Sequence, residues 1–210
     1  MKTLIIDCDG VLYPEYLLPI YKISNAIKNQ ALLNIDKNEY NKISRETIKR
    51  GEQGLYNFVL NLCQKNMDKY NDFCINMINS IDKEYNKIKK DDELFNLLLK
   101  AGKKYDICIL TNNCKTHLEK VYSKLFEKNI EELPFKSYDI SFTLDNGCFH
   151  PKQSSDGFTN FINKINKNIS DCIVVDDSNK NIERCIENKI PYEHITPKNT
   201  LKMFLNKLNE

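Results

Sequence analysis

Three short apolar runs, each ending in a cluster of small polar and acidic residues, constrain this chain more than any other feature. Leu4-Ile5-Ile6 runs into Asp7-Cys8-Asp9-Gly10, and Asp106-Ile107-Cys108-Ile109-Leu110 into Thr111-Asn112-Asn113. The third, Cys172-Ile173-Val174-Val175, runs into Asp176-Asp177-Ser178. Such unbroken apolar runs suit strands buried on both faces of a parallel sheet. The segments between them have helical spacing, with Phe158, Phe161, Ile162 and Ile165 as one example. Strands alternating with helices predict an α/β fold with a doubly wound parallel sheet. Ligands bind such sheets beyond the carboxyl ends of the strands, so the three polar clusters should meet at one site.

The chemistry of that site begins with the first cluster. Side chains alternate along a strand, so Asp7 and Asp9 leave it on the same side and Cys8 on the other. Gly10 then lets the backbone turn away. Two carboxylates held close repel each other, and a divalent cation offsets that repulsion. An aspartyl nucleophile beside an Asp acid/base needs this arrangement. A lone Asp-x-Asp-Gly is more simply a turn with solvated acids. Here it is followed by Thr111, which can donate to a phosphoryl oxygen, and by Lys152, which supplies a compact positive charge. Asp176 and Asp177 add hard oxygen ligands of the kind magnesium prefers. Singly, Thr111 would be a helix cap and Lys152 a surface charge. Their order and strand-end placement favour a joint role.

These four motifs, in this order, resemble those of the haloacid dehalogenase (HAD) superfamily, and the resemblance runs from about Lys2 to Pro197. Within it the chain is most similar to the pyrimidine 5′-nucleotidase branch, through Leu12-Tyr13-Pro14 after the first acid pair, Asp91-Asp92-Glu93-Leu94, Leu110-Thr111-Asn112-Asn113 with His117, and Val175-Asp176-Asp177-Ser178 with Asn181-Ile182. The resemblance implies a Rossmann-like core, residues 1–15 and 88–210, with a helical cap, residues 16–87, inserted after the first strand. It implies a magnesium-dependent phosphatase in which Asp7 attacks phosphorus and Asp9 is the acid and base. Thr111 and Asn112 would orient the phosphoryl oxygens, and Lys152 would balance charge. Magnesium would be held by Asp7, the Asp9 carbonyl and Asp177, with Asp176 as an outer or alternative ligand.

A small phosphorylated metabolite is the partner this reading expects, with a pyrimidine nucleoside 5′-monophosphate first. The chain departs from that branch at Gly10-Val11, where Asn-Thr is usual, and at Gln153, where Pro usually follows the lysine. Those departures leave room for a sugar, glycerol or pyridoxal phosphate. A dehalogenase would need no magnesium and, within the family, lacks the acid at the position of Asp9. A silent binding protein on the same fold is the alternative from another class. Among the aromatic residues of the insertion, Tyr13 and Tyr56 are the first choices for substrate contact. His117 reads as a helix-face residue near the second motif, and His150 and His194 have no ligand spacing.

Composition excludes several other classes. The 210 residues carry 31 basic and 29 acidic side chains, a formal charge of +2, which gives no basic field for a nucleic-acid polymer and no polybasic membrane patch. None of the eight cysteines forms a C-x-x-C pair, so no zinc ribbon or thioredoxin-type site is suggested. Without a signal-like segment or a membrane-length apolar run, the sequence predicts reduced thiols and a cytoplasmic protein.

Overall fold

The computed structural model describes residues 1–52 and 54–209. Strand β1, Thr3–Ile6, opens the chain. Five helices follow: α1 (Ile20–Asn34), α2 (Lys37–Lys49), α3 (Leu55–Leu62), α4 (Met67–Ser80) and the single turn α5 (Asp82–Tyr85). Then come α6 (Asp92–Ala101), β2 (Asp106–Leu110), α7 (Lys115–Leu125) and β3 (Lys136–Tyr138). A small hairpin, β4 (Leu144–Asp145) with β5 (Cys148–Phe149), precedes α8 (Gly157–Lys164), β6 (Cys172–Asp176), α9 (Asn179–Glu187), β7 (Tyr192–His194) and α10 (Leu201–Asn209).

The five long-sheet strands are parallel, in the order β3-β2-β1-β6-β7. The fold class expected from the sequence is therefore the one observed. Alternation along β1 sends Leu4 and Ile6 into one apolar cluster and Ile5 into another. Ile5, Cys108, Cys172 and Val174 pack with Phe158 and Phe161 of α8 and Cys185 of α9. Leu4, Ile6, Ile107 and Ile109 share the opposite cluster with Leu98 of α6, Val121 of α7 and Leu205 of α10. With apolar cover on both faces, no strand position needs a solvent-facing polar residue, which is why the runs do not alternate.

Local chemistry sets several element starts. Asp36 accepts from the amides of Asn38 and Glu39 at 2.7 and 3.0 Å and caps α2. Asp91 accepts from Leu94 N at 2.9 Å and caps α6. One sequence expectation changes. Tyr138 to Leu144 looks like a strand, but pairing stops at Tyr138 and residues Ile140–Thr143 form a 3₁₀ turn. The Ser141 hydroxyl bonds Asp139 at 2.6 Å, a local alternative to a ladder, and Ile140 N is taken by the Asn113 carbonyl at 2.9 Å. All eight cysteines are free, seven of them buried. Among the described residues no helix is long and apolar enough to cross a membrane.

Candidate active site

The three strand-end clusters converge on one cavity of about 570 Å³, lined among others by Asp7, Asp9, Thr111, Asn112, Lys152 and Asp177. Register explains the convergence. Ile6 pairs with Ile109 on one side and Val175 on the other, so the residues after each strand emerge level with one another. The Asp7 amide extends the ladder by one bond, to Val175 O at 2.9 Å. Cys8 is fully buried, but the alternation expected to turn it away from both acids ends with the strand at Ile6, and its Sγ lies within 4.8 Å of the Asp9 carboxylate and a His117 ring nitrogen.

Lys152 lies at the heart of the site and is only 4% exposed. Its Nζ is 2.5 Å from Asp7 Oδ1 and 2.9 Å from Asp176 Oδ2. The backbone that carries it is gripped from two sides. Asn112 Oδ1 accepts its amide at 2.9 Å, and α8 packs so closely that a Cβ on Gly157 would stand 2.2 Å from Pro151 O. Only glycine allows that approach. Burial would lower the pKa of the lysine, but Asp176 and Asp7 more than offset it and hold the amine above its usual range.

The carboxylates divide by their partners. Asp176 is saturated: it accepts from Asn181 Nδ2 at 3.0 Å to both oxygens, from Ser178 N at 3.0 Å and from Lys152. Asp177 lies against Gly10, where a Cβ would come within 2.0 Å of its Oδ2, and Gly10 has φ +78°. Burial, then the charge of Asp176, pushes its carboxyl up to about 6. The same two causes raise Asp7 well above the usual carboxylate range, with Lys152 opposing them. Ligand oxygens of Asp7, Asp176 and Asp177 lie within 4.8 Å of one another. Three carboxylates against one ammonium leave an excess of negative charge on hard oxygens, and that donor set fits magnesium.

Asp9 sits in a different setting. Its Oδ1 accepts from Tyr13 OH at 2.5 Å and contacts His117 Nε2 at 3.0 Å; its Oδ2 accepts from Asn113 Nδ2 at 2.6 Å and from Thr111 Oγ1 at 3.4 Å. Burial would raise this carboxyl, but His117, Tyr13 and Asn113 outweigh it and hold Asp9 far below the usual range. His117 is correspondingly raised: Asp9 overcomes the burial that would otherwise lower it. The expectation of a helix-face His117 is thus corrected, since the ring is 0% exposed and faces Asp9. Its place three residues into α7, on the turn that packs over the Asp9 loop, was the available signal.

The remaining sequence candidates fall as follows. Thr111 is buried; its Oγ1 also accepts from Asn113 N at 3.0 Å, closing a tight turn after β2. Asn112 faces the cavity, but its Nδ2 donates to Gln153 Oε1 at 2.8 Å, so Gln153 has a job in the loop. Tyr56 lines the cavity and donates to Asn113 Oδ1 at 2.9 Å. Tyr13 spends its hydroxyl on Asp9 and lies behind the Asp7–Gly10 loop, lining a neighbouring cavity with Glu15 and Asp177. His150 pairs with Asp156 at 2.7 Å, and His194 bonds the Asp177 carbonyl at 3.1 Å. Asn57, which no sequence signal singled out, pairs with the backbone of Phe149 in both directions, at 2.7 and 2.9 Å, and docks α3 against β5.

No protein-family model matches this chain, and no curated protein matches it in sequence. Solved structures do. The HAD-family enzyme BT-2542 of Bacteroides thetaiotaomicron is 20% identical over 93% of this chain and 94% of its own, with a TM-score of 0.56. CbbY of Rhodobacter sphaeroides, solved with phosphate, is 12% identical over 91% and 84%, with a TM-score of 0.55. A putative β-phosphoglucomutase of Thermotoga maritima is 15% identical over 98% and 91%, with a TM-score of 0.52. At these identities the likeness establishes a shared fold. BT-2542 has also been solved with magnesium and inorganic phosphate.

Proposed function

We propose that this chain is a HAD-superfamily phosphatase that hydrolyses a small phosphomonoester with magnesium. The observation that carries this reading is the buried Lys152, bonded to Asp7 and Asp176 beside Asp177 at the mouth of a parallel sheet. A lysine so placed neutralises part of a carboxylate cluster while leaving room for a phosphoryl group, a weak arrangement for stability alone. The shared fold of HAD-family structures, one of them solved with magnesium and phosphate, supports the same assignment.

In this reading Asp7 attacks phosphorus and the alcohol leaves, giving an aspartyl-phosphate. Asp9 gives a proton to the leaving alkoxide oxygen and recovers one from the water that cleaves the acyl phosphate. Lys152 and Thr111 stabilise charge on the transferring group. Asp7, the Asp9 carbonyl and Asp177 would hold magnesium, and Asp176, already saturated, would orient Lys152. The metal would neutralise phosphoryl charge and let two anions approach. Residues 16–87 would form a cap over a core of residues 1–15 and 88–210, with Tyr56 at their boundary.

A pyrimidine nucleoside 5′-monophosphate is the substrate we favour. A pocket closed over a single-ring base should resist the larger purines, since overpacking costs about 1–3 kcal/mol. The test is phosphate release with and without magnesium, first from para-nitrophenyl phosphate, then from UMP, CMP, AMP, GMP, and sugar, glycerol and pyridoxal phosphates. Magnesium-dependent release, with UMP or CMP highest in kcat/KM, is the expected outcome. Release surviving chelation would overturn the mechanism; a preference for purines or base-free phosphates would overturn only the substrate.

A further inference from the structure

The carboxylate of Asp9 is held by side chains that are themselves held. His117 presents Nε2 to Asp9 Oδ1 at 3.0 Å, while its Nδ1 lies 2.8 Å from the hydroxyl of Tyr85, a fully buried residue at the end of α5. Asn113 donates to Asp9 Oδ2 at 2.6 Å, while its Oδ1 accepts from Tyr56 OH of α3 at 2.9 Å. Each oxygen of Asp9 is thus tied through one intermediate side chain to a tyrosine of the helices between β1 and β2. Core packing does not require this. A buried imidazole, amide and two phenols are costly unless fully bonded, and here they are bonded in two chains that end on the same carboxylate.

We propose that His117, braced by Tyr85, and Asn113, braced by Tyr56, are positioning residues that fix the Asp9 carboxylate for its proton exchange with substrate and water. The proposal rests on the phosphatase reading and deepens it. Neither residue touches the phosphoryl group in it, so their loss should slow turnover without weakening phosphate binding.

The experiment is steady-state kinetics on para-nitrophenyl phosphate with inhibition by inorganic phosphate. His117→Leu should lower kcat about 100-fold, the low end of what a positioned acid/base contributes. KM and the inhibition constant of phosphate should stay within about twofold, the signature of an interaction made in the transition state. His117→Gln, which restores an N–H toward Asp9, should recover most of the loss. Tyr85→Phe removes only the brace; it should cost kcat about fivefold, the scale of one hydrogen bond. It keeps the test decisive even where His117→Leu does not fold. A Gln variant as slow as Leu, a loss confined to KM, or an unaffected Tyr85→Phe would overturn the positioning role while leaving the phosphatase standing. A wild-type chain that releases no phosphate from any monoester would overturn both.

Discussion

Asp7 and Asp9 are two residues apart, both line the cavity, and their surroundings oppose each other. Asp7 stands at the end of the central strand among other acids, its charge resisted by burial and Asp176 and rescued by one lysine. Asp9 stands against α7 and the Tyr13 turn, among donors that all favour its charged form. The first region is under electrostatic tension that a cation would relieve. The second is already satisfied by hydrogen-bonding side chains from the protein itself. A chain can thus assign different duties to twin carboxylates by facing one toward acids and the other toward hydrogen-bond donors. A nucleophile that must accept metal and phosphoryl group gains from the first setting. A group that must keep one orientation gains from the second.

Asymmetry of this kind can be broken from either side. The largest effect should follow Asp7→Asn, because an amide cannot attack phosphorus. We expect kcat to fall more than about 10⁴-fold, well beyond the loss for His117→Leu and on the scale of removing a nucleophile. Circular dichroism should show the fold retained. A folded Asp7→Asn protein with substantial magnesium-dependent turnover would erase the distinction between the two acids.

Lys152→Met should come next, measured as stability. Removing one partner of a buried ionic cluster leaves Asp7 and Asp176 facing each other, at a cost of about 3 kcal/mol or more. Urea unfolding of the metal-free protein should show it. Tyr13→Phe, on the Asp9 side, should cost about 1 kcal/mol, since other donors remain. Equal losses would mean that the tension assigned to the Asp7 side is absent.

Gly10→Ala tests the point where the two regions join. A Cβ there adopts a left-handed φ and meets the Asp177 carboxylate. The strain should cost about 1–2 kcal/mol. Magnesium is expected to raise the Tm of the wild-type protein, and displacement of Asp177 should shrink that rise. An unchanged magnesium response would place Asp177 outside the metal's reach.

The sheet and the Asp7 side were legible in the sequence because both are local patterns. An apolar run announces a buried strand, and the polar residues that end it must emerge at the strand's edge. The five-strand order could not be read, since it depends on which runs pair. The Asp9 side was hidden for a related reason. His117 follows Thr111 closely in sequence, but its partners Tyr85 and Asp9 come from separate segments, and no spacing connects them. A histidine on an amphipathic helix reads as surface until packing turns it inward. Gln153 was visible only as a departure from a pattern; its bond to Asn112 gives it a purpose that the pattern lacks. The 3₁₀ turn at Ile140–Thr143 escaped because Asp139 and Ser141 compete locally with strand pairing.

The central place of β1 governs how the molecule must assemble. Thr3–Ile6 pairs with 106–109 on one edge and with 172–175 on the other, so this strand waits for partners made much later. Helices α1–α4 contact mostly one another and can organise first, whereas the sheet closes only when β6 has been synthesised. Until then the apolar run ahead of Asp7 keeps at least one unpaired edge. Folding of this chain is therefore a late, nearly whole-chain event, and the cavity comes into being in the same step as the core.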